Sequence, residues 1–268
     1  MNSTAPTHLA LHSLPLPEGA ELVRVGPSAR PVESERSRIK ICGLTREQDV
    51  DAAVAAGADA IGFVLYKASA RYVSAQRASE LAARLPPFVT PVLLFVNADA
   101  MEIIAACGGI AGAIIQFHGD ETPDMCLDIS QQVSRPFMRA ARIPIQEETP
   151  NATLNFDLIK YAEDFNSAQA ILLDAHVEGF GGGGKTFNWS LLPPSVNAHL
   201  VLSGGLTPAN VGDGIAQLRL RGRSLAVDVS SGVEEKLPDG SPHKGIKSPR
   251  LINQFVAAVR AADYQFKN

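Results

Sequence analysis

Residues 200–233 read LVLSGGLTPANVGDGIAQLRLRGRSLAVDVSSGV and contain one strand–helix–strand unit. The two apolar runs, Leu200–Ser203 and Leu225–Val229, are nearly continuous rather than alternating, as expected for strands of a parallel sheet that is covered on both faces. Between them, Thr207-Pro208 puts a capping hydroxyl before a proline and predicts a helix over Pro208–Leu220. This stretch therefore predicts a parallel α/β fold.

The same unit repeats along the chain from about Arg38 onward. Short aliphatic runs alternate with small-residue amphipathic segments of helical spacing. The other strands are predicted at Ile39–Cys42, Ala60–Leu65, Pro91–Val96, Gly112–Phe117, Pro136–Ala140 and Ala170–Asp174. The other helices are predicted at Thr45–Ala56, Ser74–Leu85, Ala98–Cys107, Thr122–Val133 and Phe156–Asn166, with Thr45 and Ser74 as helix starts.

Eight such units predict one α/β domain, a single (β/α)8 TIM barrel over residues 38–268. Typical domains of this kind have about 250 residues, so eight strands in this length favour closure of the sheet. An open, doubly wound sheet shows the same alternation and remains the alternative. Residues 1–37 carry Pro, Ser, Gly and scattered charges without this rhythm. They are interpreted as a flexible N-terminal extension with no catalytic role.

Composition argues against several classes of function. The 268 residues carry 24 Lys and Arg against 28 Asp and Glu, a net charge of −4, so there is no basic surplus for binding nucleic acid. No run approaches the roughly 20 apolar residues that cross a bilayer. Residues 1–30 lack a signal-peptide pattern, so a cytoplasmic protein without a membrane partner is predicted. Three cysteines without CxxC spacing predict neither a disulfide framework nor a metal site.

The carboxyl ends of the predicted strands are polar, and in a (β/α)8 barrel these ends build the active site. The candidate residues are Cys42 after strand 1, Gln116 and His118 around the end of strand 4, Asp174 at strand 6 and Asp228 at strand 8. We therefore expect these side chains to line one mouth of the barrel.

Two glycine-containing turns predict a phosphate site at the same mouth. Ser203-Gly204-Gly205 follows strand 7, and Ser230-Ser231-Gly232 follows strand 8. Glycine leaves backbone N–H groups uncovered, and barrel enzymes often hold phosphate between these two turns. For either turn alone a tight turn without a ligand is the default interpretation. The occurrence of both after consecutive strands favours phosphate binding.

Residues 179–186 read GFGGGGKT and match the pattern of a nucleotide-binding P-loop. That pattern requires a long helix after the lysine, whereas Pro193-Pro194 interrupts the segment that follows. The segment, which includes Gly183, is better interpreted as a lid over the end of strand 6.

Cys42 and Asp174 are the candidates for proton transfer. Cysteine is most often a small buried hydrophobe, which suits Cys107 and Cys126, but Cys42 ends a strand where its thiol can face a substrate. A carboxyl group at the barrel mouth, such as that of Asp174, can act as a general acid. A structural aspartate that caps the next turn is an equally good explanation of Asp174 on spacing alone.

From about Arg38 to Arg260 the chain resembles the phosphoribosylanthranilate isomerase family. The matching motifs are KICGLT at 40–45, GADAIGFV at 57–64, SARYVS at 69–74, FVN at 95–97, QFHG at 116–119, LLD at 172–174, GGGGKTFNW at 181–189, LSGGLTPANV at 202–211 and AVDVSSGVE at 226–234. Nine motifs in the family's order are a specific match. Local departures are Phe117, Ala68 and Ala70, together with a long stretch at Lys236–Pro249.

The resemblance implies an Amadori rearrangement of a small phosphoribosyl substrate without cofactor or metal, by a monomer or a homodimer. Asp174 would protonate the furanose oxygen, Cys42 would remove the C2 proton, and Arg71 would clamp the anthranilate carboxylate. The other implied substrate-binding residues are Gln116, His118, Gly183, Ser203, Gly204, Gly205, Asp228, Ser230, Ser231 and Gly232.

Two rival functions follow from the same residues. The related isomerase of histidine biosynthesis performs the same rearrangement on a larger bisphosphate, but it relies on an aspartate where this chain has Cys42. A non-catalytic phosphate-binding barrel is the alternative outside enzymes, and the presence of both Cys42 and Asp174 argues against it.

Overall fold

Eight parallel strands close into a barrel, because β1 pairs with β8 as well as with β2. A computed structural model describes residues 36–145, 156–176 and 186–266, all within one compact unit. The strands are β1 Arg38–Cys42, β2 Ala60–Val64, β3 Thr90–Phe95, β4 Ile114–Phe117, β5 Phe137–Pro144, β6 Ala170–His176, β7 His199–Leu202 and β8 Ser224–Val229. Closure confirms the predicted barrel and excludes the open sheet.

Helices lie between the strands. They are α1 Glu47–Ala56, α2 Ala75–Ala82, α3 Ala100–Gly108, α4 Pro123–Val133, α5 Leu158–Asp164 and α6 Val211–Leu218, and α7 Pro249–Gln265 follows the last strand. Between β6 and β7 the described residues form only a short 3-10 helix, Trp189–Leu191. None of the described helices has the length and hydropathy needed to cross a membrane.

Two of the predicted helix starts are wrong in position. Helix α1 is preceded by Arg46 rather than capped by Thr45, whose hydroxyl instead donates to the carbonyl of Gly245. Helix α6 begins at Val211 after a turn, because the Asn210 side chain accepts from the Thr207 N–H and holds that turn closed. The predicted start at Ser74 is confirmed, since its hydroxyl accepts from the Arg77 N–H.

Alternation along the strands decides which side chains enter the barrel. One buried cluster, which includes Met138, Leu172 and Val201, fills the lower interior, and Ile114 and Ala226 pack against it. A second cluster higher in the barrel contains Cys42 with Val64, Leu94 and Val96. Two residues after Ile114, Leu172, Val201 and Ala226 of the first cluster, the inward side chains are polar, namely Gln116, Asp174, Ser203 and Asp228. On β1 the inward residue two positions before Cys42 is Lys40.

The long stretch after strand 8, which departs from the family pattern, forms regular structure. A 3-10 turn, Ser231–Val233, leads into an antiparallel hairpin of β9 Glu234–Lys236 and β10 Pro242–Lys247. The hairpin is fastened to the start of α1, because the Lys247 N–H donates to Asp49 at 3.1 Å. Its sequence therefore adds a structural element to the mouth of the barrel, beside the end of β1.

Candidate active site

A row of polar side chains crosses four adjacent strands at the mouth. In the strand register, Lys40 of β1 pairs with Asp228 of β8. Val227 of β8 pairs with Leu202 of β7, and Leu202 in turn pairs with Leu173 of β6. The inward residues one position further on are therefore Ser203 and Asp174. Closure of the barrel thus brings Asp174, Ser203, Asp228 and Lys40 into one line, with Cys42 just above Lys40.

Asp228 is held by two of these neighbours. The Lys40 ammonium donates to its Oδ1 at 2.7 Å, and the Ser203 hydroxyl donates to its Oδ2 at 3.2 Å. All three side chains are buried. Asp228 was predicted to bind substrate, and in the structure its nearest role is to balance the buried charge of Lys40, because an unpaired buried cation is costly.

The Cys42 thiol lies beside that cation. A Cβ atom added to Gly62 would lie 2.7 Å from Cys42 Sγ and 3.0 Å from Lys40 Cε, so the two side chains converge on the space that glycine leaves open. Burial raises the pKa of the thiol, the charge of Lys40 lowers it and the charge of Asp228 raises it; the net pKa is above the ordinary 9.0. The resting thiol is therefore mainly protonated near neutral pH.

Asp174 ends a buried series of hydrogen bonds that runs from Gln116 of β4 through His118, which follows β4. Asp174 Oδ2 lies 3.0 Å from His118 Nε2, and His118 Nδ1 lies 2.9 Å from Gln116 Nε2. Since the amide nitrogen can only donate, Nδ1 accepts and Nε2 carries the proton toward the carboxylate. Gln116 Oε1 is buried and has no hydrogen-bond partner among the described residues.

These hydrogen bonds have two possible arrangements, because the Gln116 amide can present either its nitrogen or its oxygen to His118. With the amide nitrogen toward His118, the imidazole donates to an ionised Asp174. With the amide turned over, Oε1 would accept from Nδ1–H, and the bare Nε2 would accept a proton from a neutral Asp174 carboxyl. The same three residues can therefore hold Asp174 in its ionised or its protonated form.

The turns after β7 and β8 have the open backbone expected of an anion site. Gly204 and Gly205 have φ values of +76° and +63°, in the left-handed region that favours glycine. A Cβ atom on Gly204 would lie 2.5 Å from the Ala175 nitrogen and 2.9 Å from Asp174 Oδ1, so this turn lies directly against Asp174. Gly232 packs against the backbone of Leu206, which brings the second turn to the first.

Arg71 is buried at the same mouth in an ionic cluster that sequence reasoning missed. Its Nε and Nη2 donate to the two carboxylate oxygens of Glu234 at 2.7 and 2.8 Å. Lys247 donates to Glu234 Oε1 at 3.2 Å and to the Ser230 carbonyl at 2.9 Å. Arg71 Nη1 makes no hydrogen bond to any residue in the described part of the chain, so one edge of the guanidinium remains available to a ligand.

Gly43 lets this cluster approach the thiol. Its φ is +74°, and a Cβ atom there would lie 2.6 Å from Arg71 Cδ and 3.1 Å from Ser230 Oγ. The residue directly after Cys42 therefore touches both Arg71 and the turn after β8. The thiol, the guanidinium and the turn after β8 therefore lie next to one another.

Most of the sequence-predicted site residues meet at this mouth, namely Cys42, Arg71, Gln116, His118, Asp174, Ser203, Gly204, Gly205, Asp228, Ser230, Ser231 and Gly232. Gly183 lies outside the described residues. Lys40, Glu234 and Lys247 were missed. Lys40 and Glu234 stand inside motifs that match the family, and Lys40 shares a strand face with Cys42, so alternation could have found it. For Lys247 the sequence carries no such signal. Among the described residues, no cluster of three or more His, Cys, Asp or Glu is arranged to hold a metal ion.

Chemically, the mouth offers two separate proton-transfer groups and two anion-binding groups. The thiol and the carboxyl lie on different strands, with the unbonded edge of a buried arginine and a pair of open turns beside them. Such a set suits a substrate that carries two negative groups and undergoes proton transfers between them.

Comparisons with known proteins by sequence and by structure both find phosphoribosylanthranilate isomerases. Residues 39–258 match the family model described as N-(5'phosphoribosyl)anthranilate (PRA) isomerase. The N-(5'-phosphoribosyl)anthranilate isomerase of Methylibium petroleiphilum is 56% identical over 228 residues, which cover 85% of this chain and 96% of that protein.

Solved structures give the same result. The phosphoribosyl anthranilate isomerase of Thermotoga maritima is 35% identical with a TM-score of 0.68, and the match covers 84% of this chain and 99% of that one. A phosphoribosyl anthranilate isomerase in complex with reduced 1-(o-carboxyphenylamino)-1-deoxyribulose 5-phosphate is 33% identical with a TM-score of 0.65, over 84% and 99% of the two chains.

Proposed function

This chain belongs to the N-(5'-phosphoribosyl)anthranilate isomerase family of tryptophan biosynthesis, and we propose that it converts N-(5'-phosphoribosyl)anthranilate into 1-(2-carboxyphenylamino)-1-deoxyribulose 5-phosphate with Asp174 as general acid and Cys42 as general base. The observation that carries the proposal is the polar row at the mouth, which runs from Asp174 to Lys40 with Cys42 just above it. A substrate above that row can contact both groups at once.

Asp174 is proposed to open the sugar ring. Its protonated carboxyl donates to the furanose oxygen, the C1–O bond breaks, and C1 becomes the carbon of a cationic Schiff base with the anthranilate nitrogen. The hydrogen bonds through His118 support this role, because Nε2–H donates to Oδ2 and so stabilises the carboxylate that remains after the proton has left. Gln116 and His118 are therefore proposed to position the acid.

Cys42 is proposed to take the C2 proton. Loss of that proton neutralises the Schiff base and gives an enol-amine, which tautomerises to the ketone. A thiol with a raised pKa is a poor base at rest, but the cationic Schiff base and the ammonium of Lys40 both favour the thiolate. Lys40, held by Asp228, supports the thiolate without touching the substrate.

The two anionic ends of the substrate match the two anion-binding groups. The open turns at Ser203–Gly205 and Ser230–Gly232 are proposed to bind the phosphate through backbone N–H groups. The free edge of Arg71 is proposed to pair with the anthranilate carboxylate. The reaction needs no cofactor because both steps are proton transfers.

The test is steady-state kinetics, followed by the loss of fluorescence as the anthranilate substrate is consumed. Asp174→Asn and Cys42→Ser should each lower kcat about 100-fold or more with smaller effects on KM, as expected when a proton-transfer group is lost. The matched controls are Asp213→Asn, an exposed carboxylate on α6, and Cys107→Ser, a buried cysteine on α3, which should keep near-normal kcat.

Three outcomes would contradict the proposal. Near-normal kcat in Asp174→Asn or Cys42→Ser would remove that residue from its role. Turnover of the imidazole-carboxamide substrate of histidine biosynthesis alone would replace the substrate. Failure to restore growth of a tryptophan auxotroph that lacks this isomerase, by a protein shown to be folded, would reject the activity.

A further inference from the structure

Lys247 is a fully buried lysine at the end of β10, and nothing in the proposed proton transfers uses it. Its ammonium donates to the Ser230 carbonyl at 2.9 Å, to the Ser230 hydroxyl at 3.3 Å and to Glu234 Oε1 at 3.2 Å. All of its nitrogen protons can therefore be satisfied within the protein.

These contacts join the two ends of the proposed substrate site. Ser230 opens the turn that is proposed to bind phosphate. Glu234 grips Arg71, whose free edge is proposed to bind the carboxylate. Lys247 is the one side chain among those described that bonds directly to both, and the Lys247 backbone is fixed in turn by Asp49 and Arg46 of the α1 region.

A lysine is a costly choice for this position if stability alone matters. Well-packed apolar residues are often as stable as a buried ionic cluster, or more so. Here burial and the nearby charge of Arg71 both lower the pKa of Lys247, and despite Glu234 and Cys42 it falls from 10.5 to about 8. A buried group with a lowered pKa that bonds to the residues of a proposed substrate site is a candidate for a role in function.

We propose, resting on the function proposed above, that Lys247 is a positioning residue that holds the Ser230 turn and the Glu234–Arg71 pair in one arrangement, so that the phosphate and the carboxylate of the substrate are bound together. Without the ammonium, the Ser230 turn loses a direct bond and Glu234 loses one of its two cationic partners. Both anion-binding groups should then weaken together.

The first test compares Lys247→Met with wild type in the binding of three ligands. They are the reduced 1-(o-carboxyphenylamino)-1-deoxyribulose 5-phosphate, ribose 5-phosphate for the phosphate end and anthranilate for the carboxylate end. Lys247→Met should bind each of the three ligands at least about tenfold more weakly than wild type. Arg71→Met should weaken the binding of anthranilate and leave the binding of ribose 5-phosphate unchanged. Lys244→Met, an exposed lysine on the same strand, is the control and should bind like wild type.

The second test measures how ligand binding depends on pH, because a purely structural role of Lys247 would not produce such a dependence. Two bound anions favour protonated Lys247, so wild type should take up a proton on binding, and the Kd of the reduced analogue should rise about tenfold per pH unit above about 8. Lys247→Arg keeps the charge and should bind tightly from pH 7 to 9 without this slope. Lys247→Met should bind weakly, also without it. The facing groups Glu234, Arg71, Cys42 and Asp49 are present in all three proteins.

The outcomes separate this inference from the function on which it rests. If wild type does not bind the reduced analogue, the proposed function fails, and the inference with it. If wild type binds the analogue but a folded Lys247→Met weakens only one of the two partial ligands, or neither, the joint positioning role is wrong while the function stands. If Lys247→Met does not fold, the persistence of the pH slope in Lys247→Arg would still overturn the inference.

Discussion

Gly62 is the residue whose missing side chain gives Cys42 its place. A methyl group on Gly62 would lie 2.7 Å from Cys42 Sγ and 3.1 Å from Cys42 Cα, closer than packed atoms tolerate. In Gly62→Ala the thiol must therefore move away from Lys40 and out of line with the substrate. We expect kcat to fall about tenfold or more, since small displacements of a catalytic group are costly.

The control for this change is Gly212→Ala in α6. A methyl group there meets its nearest neighbour, the Cβ of Ala262, at 4.0 Å, and alanine favours a helix over glycine by about 1 kcal/mol. The variant should keep wild-type kcat and melt at a higher temperature. A fully active Gly62→Ala would show that the position of the thiol is less restricted than the packing implies.

The reactivity of Cys42 should follow its charged neighbours. Because burial leaves its pKa above 9.0, the thiolate fraction rises with pH throughout the range from 7 to 9. The alkylation rate of Cys42 by iodoacetamide, resolved from Cys107 and Cys126 by mass spectrometry, should therefore have a midpoint above 9.0. The kcat/KM of the isomerisation should rise with the thiolate fraction from pH 7 to about 8 and then level off, because it reports the free enzyme and loss of the Lys247 proton above about 8 weakens substrate binding.

The double variant Lys40→Met/Asp228→Asn tests the cause of this reactivity. It removes a buried pair without leaving an unpaired charge, and since the effects of Lys40 on the thiol outweigh that of Asp228, the midpoint should move further up. The control is Lys160→Met/Asp164→Asn, which removes an exposed pair on α5 and should leave the midpoint unchanged. A midpoint that falls in the first variant would contradict the role of Lys40.

At the scale of elements, the apolar runs that end in glycine or a polar residue were enough to predict all eight strands. They were also enough to predict most of the site, because in a closed parallel barrel every strand ends at the same mouth. What could not be predicted came from pairing between charges. Glu234 and Lys247 are residue types that are normally solvated, and only tertiary structure brings each to its partner. Alternation could place Lys40 on the strand face of Cys42, but it could not show the pairing of Lys40 with Asp228.

Helix α7 was missed although its sequence carries a signal. Ile252, Phe255, Val256 and Val259 have the spacing of one helix face, and all are buried. The hairpin before it interrupts the alternation of strand and helix, so the repeat does not predict a helix after β8. The helix returns the end of the chain to the start of the barrel, where Asp263 accepts from the Ser37 N–H and hydroxyl.

Asp263 should therefore stabilise the fold without affecting catalysis. It is buried, binds Ser37, and forms ion pairs with Arg219 and Arg260. Asp263→Asn should lower the free energy of unfolding by about 2 kcal/mol or more, since a buried charge cluster loses its anion. Urea denaturation measures this loss, and kcat should not change, because Asp263 lies at the opposite end of the barrel from the site. Asp239→Asn, in an exposed turn, is the control.

At the scale of the whole molecule, the site exists because the first and last strands meet. Cys42 and Lys40 come from β1, whereas Asp228, Ser230, Glu234 and Lys247 come from β8 and the hairpin after it. The Lys40–Asp228 pair spans this seam at 2.7 Å. An open sheet of the same strands would leave the proposed base and the anion-binding turn at opposite edges.

The boundary of the barrel can be tested on the same grounds. The family model begins at residue 39, and every described residue of the proposed site lies between Lys40 and Lys247. A chain that begins at Glu33 should therefore have the kcat and KM of the full chain, with residues 1–32 dispensable. A chain that begins at Ile39 should unfold at lower urea, because it lacks Ser37, whose backbone and hydroxyl bind Asp263. Loss of kcat in the chain from Glu33 would mean that the N-terminal segment takes part in the site, and the 38–268 boundary would be wrong.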